Sequence, residues 1–259
     1  MKGIIAILIL LLPTATFASA SDPLSFTKDT LNEVKPLQYK REFNKLMSVI
    51  PPAVFVGYGF IALNNKLLRR VDQSVYEDMN KDFPEFTTNV DDYLQYAPAA
   101  AVSILNIAGI KGKHSFIDQT ALYAISTGIM SVSVSFFKNN TNKVRPNGSS
   151  YTSFPSGHTA TAFAAAEFLY QEYGDRSIWY GIVSYSAATA TGVLRVYNNA
   201  HWFSDIIAGA GFGISSAKAA YVLYPHFKKL LPNIDRLHFK AMPSYQKGII
   251  GISVNGKFG

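Results

Sequence analysis

The sequence predicts an all-α fold: a helical bundle of about six core helices, embedded in a membrane or associated with one. The apolar stretches Tyr96–Ile110, Ala121–Phe137, Thr159–Tyr170, Ile178–Val193 and Ile206–Tyr224 are all longer than strands usually run. They are built largely of Ala, Gly, Ser and aliphatic residues. Within them Ala160 and Ala164, and Gly209 and Gly213, stand four apart, a spacing that places small residues on one helix face. Finally, 48% of the 259 residues are hydrophobic and 14% aromatic, yet mean hydropathy is only +0.10 and 16% are charged. The apolar residues are therefore gathered into segments separated by charged stretches.

Residues 1–20 have the pattern of a secretory signal peptide. Lys2 opens it, the apolar run Ile4–Leu12 is too short to span a bilayer, and Ala18-Ser19-Ala20 is an A-x-A cleavage site. An uncleaved anchor is the alternative, and both routes lead to export. Residues 21–90 form an N-terminal region. A basic stretch with Lys28, Lys35, Lys40, Arg41 and Lys45 suits a surface helix or tether, and the short apolar segment Val49–Leu63 carries Pro51-Pro52 near its start. A mixed-charge stretch from Asn64 to Asp92 fits amphipathic helix and loop. Residues 91–225 hold the five apolar helices and all the polar motifs. Residues 226–259 form a basic tail in which Gly248–Phe258 alternates weakly, like a short strand.

A net charge of +7 and a pI near 9.4 suit an anionic partner, either a phosphate ester or a phospholipid surface. Nothing in the chain calls for nucleic acid, and nothing fixes an oligomeric state. The absence of cysteine excludes disulfides, thiolate catalysis and cysteine metal sites. If every apolar segment spans, Lys and Arg are more abundant in the loops opposite the motifs, which places the motifs outside the cytoplasm. A cleaved signal peptide reverses that answer unless one segment fails to span, and the Pro-Pro-interrupted segment at residues 49–63 is the candidate. A peripheral periplasmic domain would also resolve the conflict. Both solutions face the motifs away from the cytoplasm.

Three polar clusters lie among the apolar segments. Six residues separate Lys138 from Arg145-Pro146, then comes Pro155-Ser156-Gly157-His158, and five residues separate Arg195 from His201, which three more separate from Asp205. Three cations can neutralise a tetrahedral oxyanion, one histidine can attack phosphorus and a second can protonate the leaving oxygen. Guanidinium groups hold two phosphate oxygens in a fork, whereas lysine acts as a point charge. Ser156 is a natural cap at a helix start, where free amides favour an anion. Asp205 can hydrogen-bond the His201 imidazole and fix its tautomer.

The pattern K-x6-R-P, P-S-G-H, R-x5-H-x3-D resembles the signature of the type-2 phosphatidic acid phosphatase and vanadium haloperoxidase superfamily. The resemblance runs from Lys138 to Asp205, with the helical core around it at roughly residues 90–225. It implies a metal-independent phosphatase on a helical bundle, with no cofactor. His201 would be the nucleophile, His158 the general acid and Asp205 the carboxylate partner, with Lys138, Arg145, Ser156, Gly157 and Arg195 binding the phosphate. One departure stands out: Leu194 occupies the place where the family often has a serine before the third-motif arginine.

The same anion pocket could hold vanadate, so a vanadium-dependent haloperoxidase is the rival chemistry, and Leu194 motivates a non-catalytic lipid-binding alternative. The histidines show neither H-E-x-x-H nor another metal-ligand spacing. Lys143, His114, His226 and His238 have no motif partners and are expected at the surface. Apolar helices beside the site and a basic surface point to a membrane lipid phosphate: a lipid A phosphate, an isoprenyl diphosphate or a phosphatidyl headgroup. A broad-specificity soluble acid phosphatase is the alternative.

Overall fold

The computed structural model describes residues 38–230, 237–246 and 249–258. The expected signal peptide, at residues 1–20, lies outside these residues. Eight helices occupy the described chain: α1 (Gln38–Asn64), α2 (Lys66–Asp82), α3 (Val90–Leu94), α4 (Ala97–Ile107), α5 (Phe116–Thr141), α6 (Gly157–Tyr173), α7 (Ile178–Tyr197) and α8 (Phe203–Leu230). The expected all-helical bundle is therefore present, with α1 and α4–α8 matching the six apolar segments. The strand-like alternation near the C-terminus becomes β2 (Ile249–Phe258), paired antiparallel with β1 (Leu237–Gln246), Leu237 opposite Phe258.

Short polar residues start α2, α5, α6 and α7 by accepting otherwise orphaned backbone N–H groups. Asn65 accepts from Leu67 and Leu68, Ser115 from Asp118, Ser156 from Thr159, and Ser177 from Trp179. Helix α5 ends at Asn142, whose φ of 47° lies in the left-handed region that asparagine tolerates.

Helix α6 is the axis of the bundle, and its run Ala162–Leu169 is buried throughout. A helix apolar on all sides belongs in a core, and α6 is enclosed by α4, α5, α7 and α8. Its alanines let α8 approach closely. A Cβ at Gly209 would lie 2.6 Å from the Ser156 carbonyl oxygen, and one at Gly213 would fall 2.8 Å from the Ala164 nitrogen and closer still to the Ala160 carbonyl. The four-residue spacing noted in the sequence thus marks two faces that meet.

Among the described residues, three helical stretches are long and apolar enough to cross a membrane: Met47–Asn64, Phe116–Thr141 and Phe203–Lys229. Only 17% and 22% of the first two are buried inside the protein, against 67% of the third. Their exposed residues include Val54, Ile61, Val132 and Phe136, an outward apolar surface suited to lipid. The segment at residues 49–63, the candidate for a segment that fails to span, is long and apolar enough after all. Pro51 and Pro52 lie inside α1, which begins well before them, and each removes a backbone donor and crowds the carbonyl four residues earlier.

The C-terminal ends of α5 and α7 meet the N-terminal ends of α6 and α8 at one end of the bundle, where all three motifs lie. Beneath them Phe154, fully buried, packs with Met130, Val134, Ala160, Ala208 and Phe212. The opposite end is closed by Glu172, which accepts hydrogen bonds from the His114 backbone N–H, Gln119 and Tyr221.

Candidate active site

Lys138 stands in the last turn of α5, and its Nζ donates to the Thr152 carbonyl at 2.8 Å. Gly157 opens α6 beside it: a Cβ there would lie 3.7 Å from Lys138 Cε. Arg145 sits in the loop after α5, its backbone N–H bonded to the Ser150 carbonyl at 3.0 Å. Arg195, in the last turn of α7, donates from Nη1 to Asp91 Oδ2 at 2.7 Å. Both guanidinium groups keep a buried Nε without a partner. Burial and then the nearby charge of Arg195 hold the Arg145 guanidinium below its ordinary pKa, with Asp205 opposing the shift. Two cations are thus held together in a partly buried site, and such an arrangement favours an anion between them.

His158 occupies the first turn of α6, its Nε2 2.8 Å from Asp92 Oδ1. Burial and then Arg195 push its pKa below the usual 6.5, while Asp92 and Asp91 work in the opposite direction. His201 lies between α7 and α8, 1% exposed, and burial lowers its pKa to about 4. Lys138 and Arg195 add to that lowering and Asp205 opposes it. A neutral imidazole at near-neutral pH is what a nucleophile requires.

Asp205 departs from the simplest expectation. Its Oδ2 is 3.8 Å from His201 Nδ1, beyond hydrogen-bond length, and Nδ1 has no partner. The carboxylate is occupied by others. Oδ1 accepts from Lys143 Nζ at 2.9 Å, and Oδ2 accepts from the Ser153 hydroxyl and from the Trp202 backbone N–H at 3.0 Å. Ser156 is fully buried and fastens two helix starts together. Its Oγ accepts from Thr159 Oγ1 at 2.9 Å, and its N–H donates to the Asp205 carbonyl at 3.1 Å.

Two of the residues expected at the surface have buried partners. Lys143 bridges Asp205 and Asp72, with its side chain only 16% exposed, because the turn that carries Arg145 also folds it back over the start of α8. His114 pairs through Nδ1 with Glu172 Oε1 at 2.7 Å, since the chain before α5 lies against the end of α6. His226 is exposed as expected. The side chain of His238 lies outside the described residues. Asp72, Asp91 and Asp92 were not singled out from the sequence. Two of them share one short helix, α3, and hold Arg195 and His158. The fold also gathers Asp91, Asp92 and His158 with ligand atoms within 4.8 Å of one another, a set that could receive a cation. Asp91 is already bonded to Arg195 and to Asn198, at 3.0 Å, so a positive group stands there.

The α-helical bundle thus concentrates three cations and two histidines at one end, an arrangement whose charge suits a phosphoryl-like anion. Residues 119–229 match the family model of the PAP2 superfamily. All the motif residues from Lys138 to Asp205 fall inside the match, while Asp72, Asp91 and Asp92 precede it. The chain is similar to a protein named lipid A 1-phosphatase from Porphyromonas gingivalis, with 36% identity over 152 residues. That alignment covers 58% of this chain and 34% of the relative, so the match spans about a third of the relative's length. Among solved structures it is similar to the crystal structure of a transmembrane PAP2 type phosphatidylglycerolphosphate phosphatase from Bacillus subtilis. There the identity is 18% and the TM-score 0.42, with 74% of this chain and 98% of that one covered.

Proposed function

We propose that the protein is a membrane phosphatase that hydrolyses a phosphomonoester or diphosphate group of a lipid through a phosphohistidine intermediate. The observation that carries this reading is the pair of buried, unpartnered Nε atoms on Arg145 and Arg195, in the motifs that also supply His201 and His158. In the proposed reaction His201 Nε2 attacks phosphorus, since Nδ1 faces Asp205. The P–O bond to the lipid breaks as the P–N bond forms, and His158 gives its proton to the departing oxygen. Water then attacks phosphorus, losing a proton to His158, and the P–N bond breaks to release inorganic phosphate. Lys138, Arg145 and Arg195 neutralise the equatorial oxygens, with Ser156 and Gly157 lining the start of α6.

The lipid substrate is supported by the apolar outward faces of α1 and α5 and by the named activity of the Porphyromonas relative. A site at a bundle end, bordered by helices long enough to cross a bilayer, meets a phosphate at the membrane surface. We place that end on the non-cytoplasmic side, with residues 1–20 directing export, residues 91–225 as the catalytic core and residues 226–259 as an appended tail.

The test compares catalytic efficiency on lipid A, isoprenyl and phosphatidyl phosphates in mixed micelles with that on short soluble esters. A preference of at least about tenfold for a lipid phosphate is expected, because apolar contacts distant from phosphorus can supply transition-state binding. Equal efficiency on soluble esters would refute the lipid assignment. A lack of hydrolysis of any phosphoester by the purified protein would refute the phosphatase itself.

A further inference from the structure

Lys143 lies two residues before Arg145, yet its amine is committed to Asp205. Nζ is 2.9 Å from Asp205 Oδ1, 2.8 Å from Ser204 Oγ and 3.2 Å from Asp72 Oδ2. Asp72, on α2 and only 3% exposed, comes from outside the PAP2 match. Its Oδ1 accepts from the Ser204 backbone N–H at 2.8 Å and its Oδ2 from the Ser204 hydroxyl at 2.6 Å. The result is a buried row of carboxylate, ammonium and carboxylate that ends 3.8 Å from the His201 ring. Capping the start of α8 needs only an acceptor oxygen. It does not need a lysine joining two buried carboxylates, an arrangement whose desolvation is costly.

We propose that Asp72 and Lys143 are positioning residues of the active site: they hold Asp205 against His201 and set how much negative charge the imidazole feels. This rests on the phosphatase reading above. On phosphorylation His201 becomes a phosphoimidazolium cation, and Asp205 is the carboxylate nearest to it. Lys143 anchors that carboxylate and offsets its charge, and Asp72 in turn offsets Lys143. The charged groups facing His201 are Asp205 from α8, Lys138 from α5 and Arg195 from α7, with Lys143 and Asp72 behind Asp205.

The two residues carry opposite charges, so their removal predicts opposite effects. The measurement is kcat, KM and the acid limb of the kcat/KM profile on a lipid phosphate. Lys143→Met is expected to lower kcat by about 10- to 100-fold, the loss associated with misplacing a reacting group by an ångström, with KM within about threefold. Loss of a nearby cation also stabilises protonated His201, moving the acid limb up by about one pH unit. Asp72→Asn keeps an acceptor for Ser204 but removes the negative charge, so its acid limb should move down. Lys143→Arg should recover most of kcat, because Lys143 borders a cavity of about 580 Å³, shared with Arg69, Gln73 and Trp202, that has room for a guanidinium.

Acid limbs that stay put or move in the same direction would overturn the proposal, as would a kcat for Lys143→Met equal to the unmodified protein's. If Lys143→Met does not fold, the shift in Asp72→Asn and the recovery in Lys143→Arg decide the matter. Failure of the unmodified protein to hydrolyse any phosphoester would count against the phosphatase reading. Activity in that protein with unchanged limbs in the variants would count against the relay alone.

Discussion

Asp92→Asn should move the basic limb of the pH profile to lower pH. His158 Nε2 is 2.8 Å from Asp92 Oδ1, with the two side chains 31% and 50% exposed. Exposed pairs of this kind contribute about 0.2–1 kcal/mol, which at about 1.36 kcal/mol per pKa unit is roughly 0.15–0.7 unit. In the proposed reaction His158 must be protonated to donate to the leaving oxygen, so activity is expected to fall as pH rises through its pKa. Burial and Arg195 already hold that pKa below 6.5, and Asp92 opposes them. Removing the Asp92 charge lowers it further, so activity is lost sooner as pH rises. The expected shift is about half a unit, or a rate about threefold lower above both limbs and unchanged below them. The assay is kcat/KM on one lipid phosphate from acid to neutral pH. Ionisation of the substrate contributes equally to both proteins and cancels in the difference. A basic limb that stays in place or moves up would refute Asp92 as the partner that keeps His158 charged.

Other outcomes follow from packing. Gly213→Val should destabilise the bundle by at least about 1–3 kcal/mol, because its side chain meets backbone atoms of Ala160 and Ala164. Gly57→Ala in α1 meets nothing within 4 Å and should be neutral or stabilising by up to about 1 kcal/mol. Thermal unfolding in detergent compares the two, and equal midpoints would contradict the close crossing of α6 and α8. Phe154→Ala should cost about 3–5 kcal/mol by the same measurement, since the ring is fully buried beneath the motifs and packs edge-on to Phe60 at 5.3 Å.

The helices and the motif residues were legible in the sequence because both are local signals. An apolar run of Ala, Gly and aliphatic residues declares a buried helix, and Lys138–Arg145, Ser156–His158 and Arg195–Asp205 stand at fixed short spacings that the fold brings to one end. The groups that seat the site were not legible. Asp72 pairs with Lys143 across 71 residues, and Asp91 with Arg195 across 104. A lone aspartate in a charged stretch looks like any solvated residue until folding removes the water around it. The spacing of Gly209 and Gly213 was visible, but their opposition to Ala160 and Ala164 depends on how α8 crosses α6. The Asp205–His201 pairing was readable as a four-residue offset, but the competing claims of Lys143, Ser153 and Trp202 on the carboxylate arise only in three dimensions.

Covalent capture tests the central claim most directly. A phosphoester with a good leaving group and a labelled phosphate is mixed with the purified protein and with its His158→Ala and His201→Ala variants, quenched rapidly, and mapped by mass spectrometry. The account predicts an acid-labile phosphoryl group on His201 that accumulates in His158→Ala, since hydrolysis of the intermediate loses its base. It predicts neither label nor turnover in His201→Ala. Label on another residue, or retained turnover in His201→Ala, would contradict it.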